Sequence, residues 1–222
     1  WGIHGRPKGI IPYVSKDLSQ SEAADALVIV AHPDDETIFC GGLMLAGPAR
    51  RWHVLSLCRC DDVDRAPKFH RVCRHLGAEP IISDLDDSNP LKPIDPAGEI
   101  GRRIINLVGA RDWQLCVTHG ENGEYGHPRH RQIHREVVRL VDSGLLRCGQ
   151  LWTFAYDCDA AGNCRPRDDA DIRFELPAAT LTEKRRIIHE MYGYGEDSFE
   201  VAACVSPEAF RRLRAGENGE QS

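Results

Sequence analysis

The chain has 222 residues, 28% of them charged and 41% hydrophobic, with a net charge of −6 and a sequence pI near 5.9. That length fills one core and is short for two, and the acidic balance argues against a nucleic-acid partner, which leaves a basic footprint. No apolar run reaches the length of a membrane span and no basic leader precedes a cleavage site, so a cytoplasmic protein is expected.

Residues 1–25, with glycines, prolines and mixed charge, read as an arm before the core. Residues 26–31 form an apolar run, half of it β-branched, that reads as a strand buried on both faces of a parallel sheet. The run meets His32, Pro33, Asp34, Asp35 and Glu36, and Pro33, lacking an N–H, marks the strand's end. A helix is expected over 37–46. Gly41 and Gly42 inside it cost about 1 kcal/mol each against alanine, which makes sense where the helix lies hard against a neighbour.

A strand over 53–58, a helix over 65–76 closed by Gly77, a short strand over 80–83 and an acidic loop over 84–93 follow. A helix over 97–107 and a strand over 114–118 continue the alternation. Pro128 suits the first position of a helix whose periodic residues are Ile133, Val137, Val138, Leu140 and Val141. A strand over 151–156, a polar hairpin or flap over 157–171, a strand over 173–176, a helix over 181–192 and a helical piece near 207–213 complete the chain before a tail at 216–222. The alternation predicts an α/β, Rossmann-like three-layer sandwich with a mostly parallel central sheet, as a single domain over 26–215.

Nine cysteines are scattered along the chain. Cys58, Cys73, Cys116 and Cys204 lie in apolar stretches, where cysteine acts as a small hydrophobe. Cys58 with Cys60, and Cys158 with Cys164, could pair through a metal or a disulfide. Neither pair has the spacing of a structural zinc site, and reduced thiols are expected.

In an open α/β fold the ligand crevice lies beyond the carboxyl ends of the strands. His32, Asp34 and Asp35 would converge there as ligands for a hard or borderline cation. Asp35 or Glu36 could instead cap the following helix. Three carboxylates and a histidine within five residues repel one another unless something positive neutralises them, which favours a metal. After the fourth strand, Pro128 at N1 places His127 at the N-cap and His130 in the first turn, on the same sheet edge. The helix dipole there favours an anionic ligand and lowers a histidine's pKa. His130 and His134 are one turn apart, a chelating spacing, but His134 reads as a surface histidine, and His119 and His53 as core or rim residues. Tyr125, between Gly123 and Gly126, is either a space-filler or a mobile phenol over a substrate.

The stretch from Ala31 to Glu36, the following Cys40-Gly41-Gly42 and the later Tyr125-Gly-His-Pro-Arg-His130 together resemble the LmbE-like/PIG-L superfamily of zinc-dependent N-acetylglucosaminyl deacetylases and related amidases. The resemblance spans about 26–195. It implies that His32, Asp35 and His130 hold Zn2+, with a fourth position open as catalytic zinc requires. It implies Asp34 as general base, His127 as oxyanion stabiliser or acid, and Tyr125 as its helper. Arg65 resembles the substrate-binding arginine, and one of Asp86 or Asp87, with Asp87 preferred, the residue that binds a substrate hydroxyl. Arg129 stands where the family usually has an acidic residue, and Gly193-Tyr-Gly-Glu replaces a Ser-Gln in the C-terminal region.

The activity so implied is hydrolysis of the acetamide of an N-acetylated amino sugar or glycoconjugate, releasing acetate and an amine. The partner is then a small molecule, with a homo-oligomer possible. An amidase acting on a sugar-linked thiol conjugate, a metal phosphoesterase and a non-catalytic sugar-binding protein are the alternatives. The single-metal ligand count and the lack of a phosphate-cradling glycine loop speak against the phosphoesterase.

Overall fold

The computed structural model describes residues 24–89 and 98–213. The expected arm, except for its last two residues, and the expected tail lie outside them, as does the end of the acidic loop. The elements run β1 (Ala24–Val30), α1 (Asp35–Ala46), β2 (Arg50–Ser56), α2 (Arg65–His75), β3 (Ala78–Ile82), α3 (Glu99–Val108), β4 (Leu115–Thr118) and α4 (Pro128–Asp142). They continue through β5 (Leu151–Phe154), β6 (Tyr156–Cys158), β7 (Cys164–Pro166), β8 (Ile172–Phe174), α5 (Ala178–Arg186), a π-helical extension of α5 (Ile187–Tyr192), α6 (Phe199–Ala202) and β9 (Glu208–Leu213).

Seven strands form one sheet in the order β3-β2-β1-β4-β5-β9-β8. The first five are parallel, and β9 and β8 add antiparallel. The mostly parallel α/β sheet is therefore the fold expected from the sequence. β1 is the middle of the five parallel strands, and its alternate side chains enter two cores. Ala26, Val28 and Val30 face α1, α2 and the C-terminal helices. Leu27, Ile29 and Ala31 face α3 and α4. A strand covered on both faces must be apolar at every position, which is why its sequence shows no alternation.

The chain order reverses at β1, since β2 lies on one side of it and β4 on the other. Loops leaving the ends of β1 and β4 therefore open towards each other, the usual place for a ligand crevice. Four expectations need correction. The segment near 207–213 is not helical but the strand β9, whose Ala209 and Phe210 are buried while Arg212 is exposed. Its pairing with both β5 and β8 supplies the backbone partners that decide for a strand. The expected helix over 181–192 begins earlier, at Ala178, and its second half widens into a π-helix. The 157–171 excursion contains the hairpin β6–β7, and there Cys158 and Cys164 are joined in a disulfide rather than reduced. They stand opposite each other in the hairpin register, with Cα atoms 4.0 Å apart. Finally, the strand expected over 151–156 divides into β5 and β6, which lie in different sheets, and α6 is an element the sequence pattern does not show.

The close approach expected at Gly41 and Gly42 is present at Gly42, whereas a Cβ on Gly41 would meet a neighbouring element only at an ordinary 3.8 Å, at Lys184. A Cβ on Gly42 would lie 2.4 Å from Leu176 Cδ2 and 3.0 Å from Glu208 Oε1. Glu208 reaches from β9 beneath α1, where its oxygens accept the N–H groups of Gly42 and Leu43 and the Lys184 ammonium, each at 2.7 Å. Lys184 and Glu208 are fully buried, so each supplies the charge that makes burial of the other tolerable.

Candidate active site

The carboxyl ends of β1 and β4 carry the site. Asp34 occupies the N-cap position of α1 but makes no side-chain cap, and Asp35 turns back so that its Oδ2 accepts the His32 N–H at 2.9 Å. Of the two capping candidates, Asp35 is not a cap, while Glu36 does accept the backbone N–H of the N-cap residue Asp34. The three neighbouring carboxylates point to different partners. Glu36 accepts the hydroxyls of Thr37 and Tyr192 and the backbone N–H of Asp34. Asp34 has φ 126°, a conformation that costs a non-glycine residue about 1–3 kcal/mol. The bonds from Glu36 and the N–H groups of Thr37 and Ile38 donating to the Asp34 carbonyl hold it there.

Asp34 Oδ2 accepts from Arg65 Nη1 at 2.9 Å and from the Tyr194 hydroxyl. Burial pushes the Asp34 carboxyl up to about 8, with the Asp35 charge adding to the rise and Arg65 opposing it. Arg65 is set in place by Asp62, whose Oδ1 accepts its backbone N–H at 2.9 Å. Arg65 thus lines the cleft, as expected of a substrate residue, while also touching the base.

On the opposite wall, α4 begins as expected, with His127 at the N-cap and Pro128 in the first turn. His130 is fully buried, and its Nδ1 meets Glu124 Oε2 at 2.6 Å. Glu124 also meets His119 Nδ1 at 3.0 Å, and these histidine contacts hold its carboxyl at about 2 against the opposing effect of burial. Because Nδ1 of His130 donates to a carboxylate, its Nε2 carries the lone pair. That nitrogen is buried, has no hydrogen-bond partner among the described residues, and lies 3.4 Å from Asp35 Oδ2. His32 repeats the pattern in reverse, with Nε2 2.9 Å from Asp87 Oδ2 and Nδ1 3.5 Å from Asp35 Oδ2.

The expected ligands His32, Asp35 and His130 thus come together with lone pairs facing inward. Such a donor set is repulsive unless a cation or a proton stands between its members. A proton on His32 is one way to meet that need. Burial lowers the His32 pKa, but the hydrogen bonds to Asp35 and Asp87 outweigh it and raise the group to about 9. Zinc, which favours nitrogen and oxygen ligands, fits this set. His119 does not belong to it, although it stacks on His130 with ring centroids 3.8 Å apart. Its Nε2 accepts the Ala31 N–H at 2.9 Å and is already occupied. His134 also lies outside, its Nδ1 donating to the His119 carbonyl at 2.9 Å. It is half-buried rather than a plain surface residue. His53 is buried beside Trp113 and Asp25, at the opposite end of the strands.

His127 lies between the metal-ligand candidates and the cleft. Its ring is 5.0 Å from His32 and 4.5 Å from His130, and its Nδ1 has no partner among the described residues. Burial, aided by the charges of His130 and His32, lowers its pKa to about 4. Tyr125 lies 40% exposed, with its ring 5.7 Å from that of His127 and 4.9 Å from Phe199. Asp87 lines the same cleft of about 210 Å³. Cys58 Sγ lies within 4.8 Å of a His32 nitrogen and an Asp87 oxygen, so this group could in principle take a second cation. Arg59 at 3.2 Å and Arg129 at 3.4 Å already neutralise Asp87, and Cys58 is held as a thiol, its pKa pushed up by burial to about 12.

Three residues of the site escaped the sequence reading. Tyr194 and Glu124 lie within segments that attracted notice, but nothing in sequence spacing reveals that one reaches Asp34 and the other bridges two histidines. Glu36 was noticed only as part of the acidic cluster.

Residues 27–141 match the family described as PIG-L, GlcNAc-PI de-N-acetylase. The chain belongs to the PIG-L family. Among curated relatives, an uncharacterised protein of Acanthamoeba polyphaga mimivirus is 28% identical over 60% of this chain and 63% of its own length. Two 1D-myo-inositol 2-acetamido-2-deoxy-alpha-D-glucopyranoside deacetylases of Catenulispora acidiphila are also similar. Deacetylase 1 is 27% identical over 62% of this chain and 53% of its own length, and deacetylase 2 is 25% identical over 84% and 75%. The chain thus spans less than two thirds of the length of the first two of these relatives.

The fold is shared with the N,N'-diacetylchitobiose deacetylase of Pyrococcus horikoshii, at TM-score 0.65 and 13% identity over 86% of this chain and 84% of that one. It is equally shared with a 4-carboxy-2-hydroxymuconate hydratase of Pseudomonas putida, at TM-score 0.60 and 15% identity over 90% and 100%. The same fold therefore occurs beneath two different reactions, and the chemistry has to be argued from the site.

Proposed function

We propose that this PIG-L chain is a metal-dependent N-deacetylase, taking zinc at His32, Asp35 and His130 and hydrolysing the acetamide of an N-acetylated glucosamine derivative. The carrying observation is the buried, partnerless Nε2 of His130 facing Asp35. A zinc ion bound there supplies Lewis acidity towards an amide carbonyl and a water. Asp34, whose pKa of about 8 without a metal would fall beside a bound cation so that it is ionised at pH 7, accepts the proton of the attacking water and returns it to the leaving amine as the C–N bond breaks. Arg65 and Tyr194 hold the carboxylate in place. His127 is neutral at pH 7 and donates a hydrogen bond to the oxyanion rather than acting as a cationic acid. The Tyr125 phenol, its pKa raised by burial, stays protonated and is a second donor.

Asp87 serves a substrate hydroxyl. The names of the Catenulispora relatives and of the family support a glucosamine-type acetamide as the substrate. The two-metal alternative is disfavoured by the arginines on Asp87.

The test combines metal analysis with acetate release on N-acetylglucosaminyl-inositol, N-acetylated chitobiose and sugar–thiol conjugates. One zinc per chain, lost in His130→Ala and kept in His134→Ala, is expected, with acetate released from at least one glucosaminyl substrate. Two metals per chain, or metal without acetate release, would overturn the reading.

A further inference from the structure

Arg129 is a buried cation with no part in the chemistry above. It is 1% exposed, although it sits in the first turn of α4, beside His130. Its side chain reaches the loop after β3. Nη2 donates to the Asp86 carbonyl at 2.8 Å, Nε to Asp87 Oδ1 at 3.4 Å, and Nη1 to the Gln132 side-chain oxygen. One planar fork thus ties α4 to both backbone and side chain of a loop with no regular structure of its own. The other oxygen of Asp87 accepts from His32 Nε2 at 2.9 Å.

We infer that Arg129 is a positioning residue: by clamping the loop at Asp86 and Asp87, it holds Asp87 against His32 Nε2 and so fixes the imidazole whose Nδ1 faces Asp35. Arg59 is the rival anchor, since its Nη2 lies 3.2 Å from Asp87 Oδ2. Its side chain is 47% exposed, and a solvated pair of this kind fixes geometry weakly. Arg129 is desolvated, forked and supported by Gln132, so the loop follows Arg129. A carboxylate that orients a ligand histidine typically changes metal affinity by roughly 10- to 100-fold when lost. Arg129, acting through Asp87, commands the same range.

The metal arm of the test rests on the proposed zinc site and the geometric arm does not. Zinc dissociation constants are measured by chelator competition for the full chain, Arg129→Ala, Asp87→Ala and the double variant. Arg129→Ala is expected to bind at least 10-fold more weakly, and the double variant no more weakly than Asp87→Ala alone, because both changes remove one contact. Additive losses, or an unchanged constant in a folded Arg129→Ala, would overturn the inference. Crystal structures of the unsubstituted chain and of Arg129→Ala are expected to show the His32–Asp87 bond in the first and its loss in the second. A bond kept in both, or missing from the first, overturns it whatever the metal data. If Arg129→Ala does not fold, Arg129→Lys takes its place, since an ammonium keeps the charge but cannot span Asp86, Asp87 and Gln132. Binding intermediate between the unsubstituted chain and Asp87→Ala is then expected, and full affinity overturns. An unsubstituted chain that takes no zinc refutes the proposed metal site, and the crystallographic arm then decides the positioning alone.

Discussion

Asp34 and Asp35 are adjacent, yet their surroundings assign them opposite tasks. Asp35 is held ionised, well below the usual carboxylate range, by the histidines around it against the effect of burial. Asp34 is raised to about 8 by burial first and by the Asp35 charge second. Neighbouring carboxyls pushed apart in this way are a common basis for dividing ligand from base. Asp35→Asn should therefore lose zinc, whereas Asp34→Asn should keep it and lose turnover by roughly 100-fold or more. Zinc content and acetate release of the two variants check this, and near-normal turnover in zinc-loaded Asp34→Asn would remove Asp34 from the mechanism. Arg65 gives a second test. Its charge lowers the Asp34 pKa, so in Arg65→Ala the proton should be held to higher pH. The acid limb of the pH–rate profile should move upward, with zinc content unchanged. An unmoved limb would return Arg65 to substrate binding alone.

At the scale of elements, what could be read from the sequence was what local chemistry dictates. The apolar run of β1 and the proline at N1 of α4 placed their elements within a residue or two, because burial on both faces and a missing N–H leave few alternatives. β9 was misread because Ala209, Phe210 and Leu213 recur at a spacing that suits one helix face as well as a strand, and long-range pairing with β5 and β8 decided it. Tyr194 was hidden for the same reason, since its partner is 160 residues away. Glu124 has partners only 5 and 6 residues away, but no helix or strand period sets that spacing, so it depends on the turn between β4 and α4. The glycines of α1 were legible as a demand for closeness without the identity of the neighbour. Gly42→Ala tests that neighbour. Helix propensity alone would reward alanine by about 1 kcal/mol. The added methyl meets Leu176 and Glu208, and Glu208 cannot withdraw without releasing Lys184 and two backbone N–H groups. Overpacking of about 1–3 kcal/mol should win, lowering the midpoint of denaturant unfolding, and a raised midpoint would show that the wall gives way.

For the whole molecule, the site joins the two cores rather than decorating one of them. His32 and Asp35 come from the β1–α1 connection and His130 from α4, on opposite sides of the sheet edge. A ligand bridging them binds only the folded chain, so saturation with zinc at about 100 times its dissociation constant should add about 2.7 kcal/mol of stability. For a chain of this size that is roughly 5–10 °C in Tm. The gain should depend on pH with a definite sign. In the metal-free protein the His32 pKa is raised from 6.5 to about 9, so the stability contributed by its protonated form is complete below pH 6.5 and is lost as pH rises towards 9. Asp34, with its pKa raised from 3.8 to about 8, adds a cost of ionisation in the folded state that grows from about pH 4 and is complete near pH 8. Zinc takes the place of the His32 proton, and its charge favours ionised Asp34, so both groups make its binding stronger as pH rises. The zinc-induced rise in Tm should therefore be larger at pH 8 than at pH 6 and be abolished in His130→Ala. Thermal melts with and without zinc at the two pH values measure it. A rise independent of pH would mean that zinc displaces no proton from this site, and a rise that persists in His130→Ala would place the metal elsewhere.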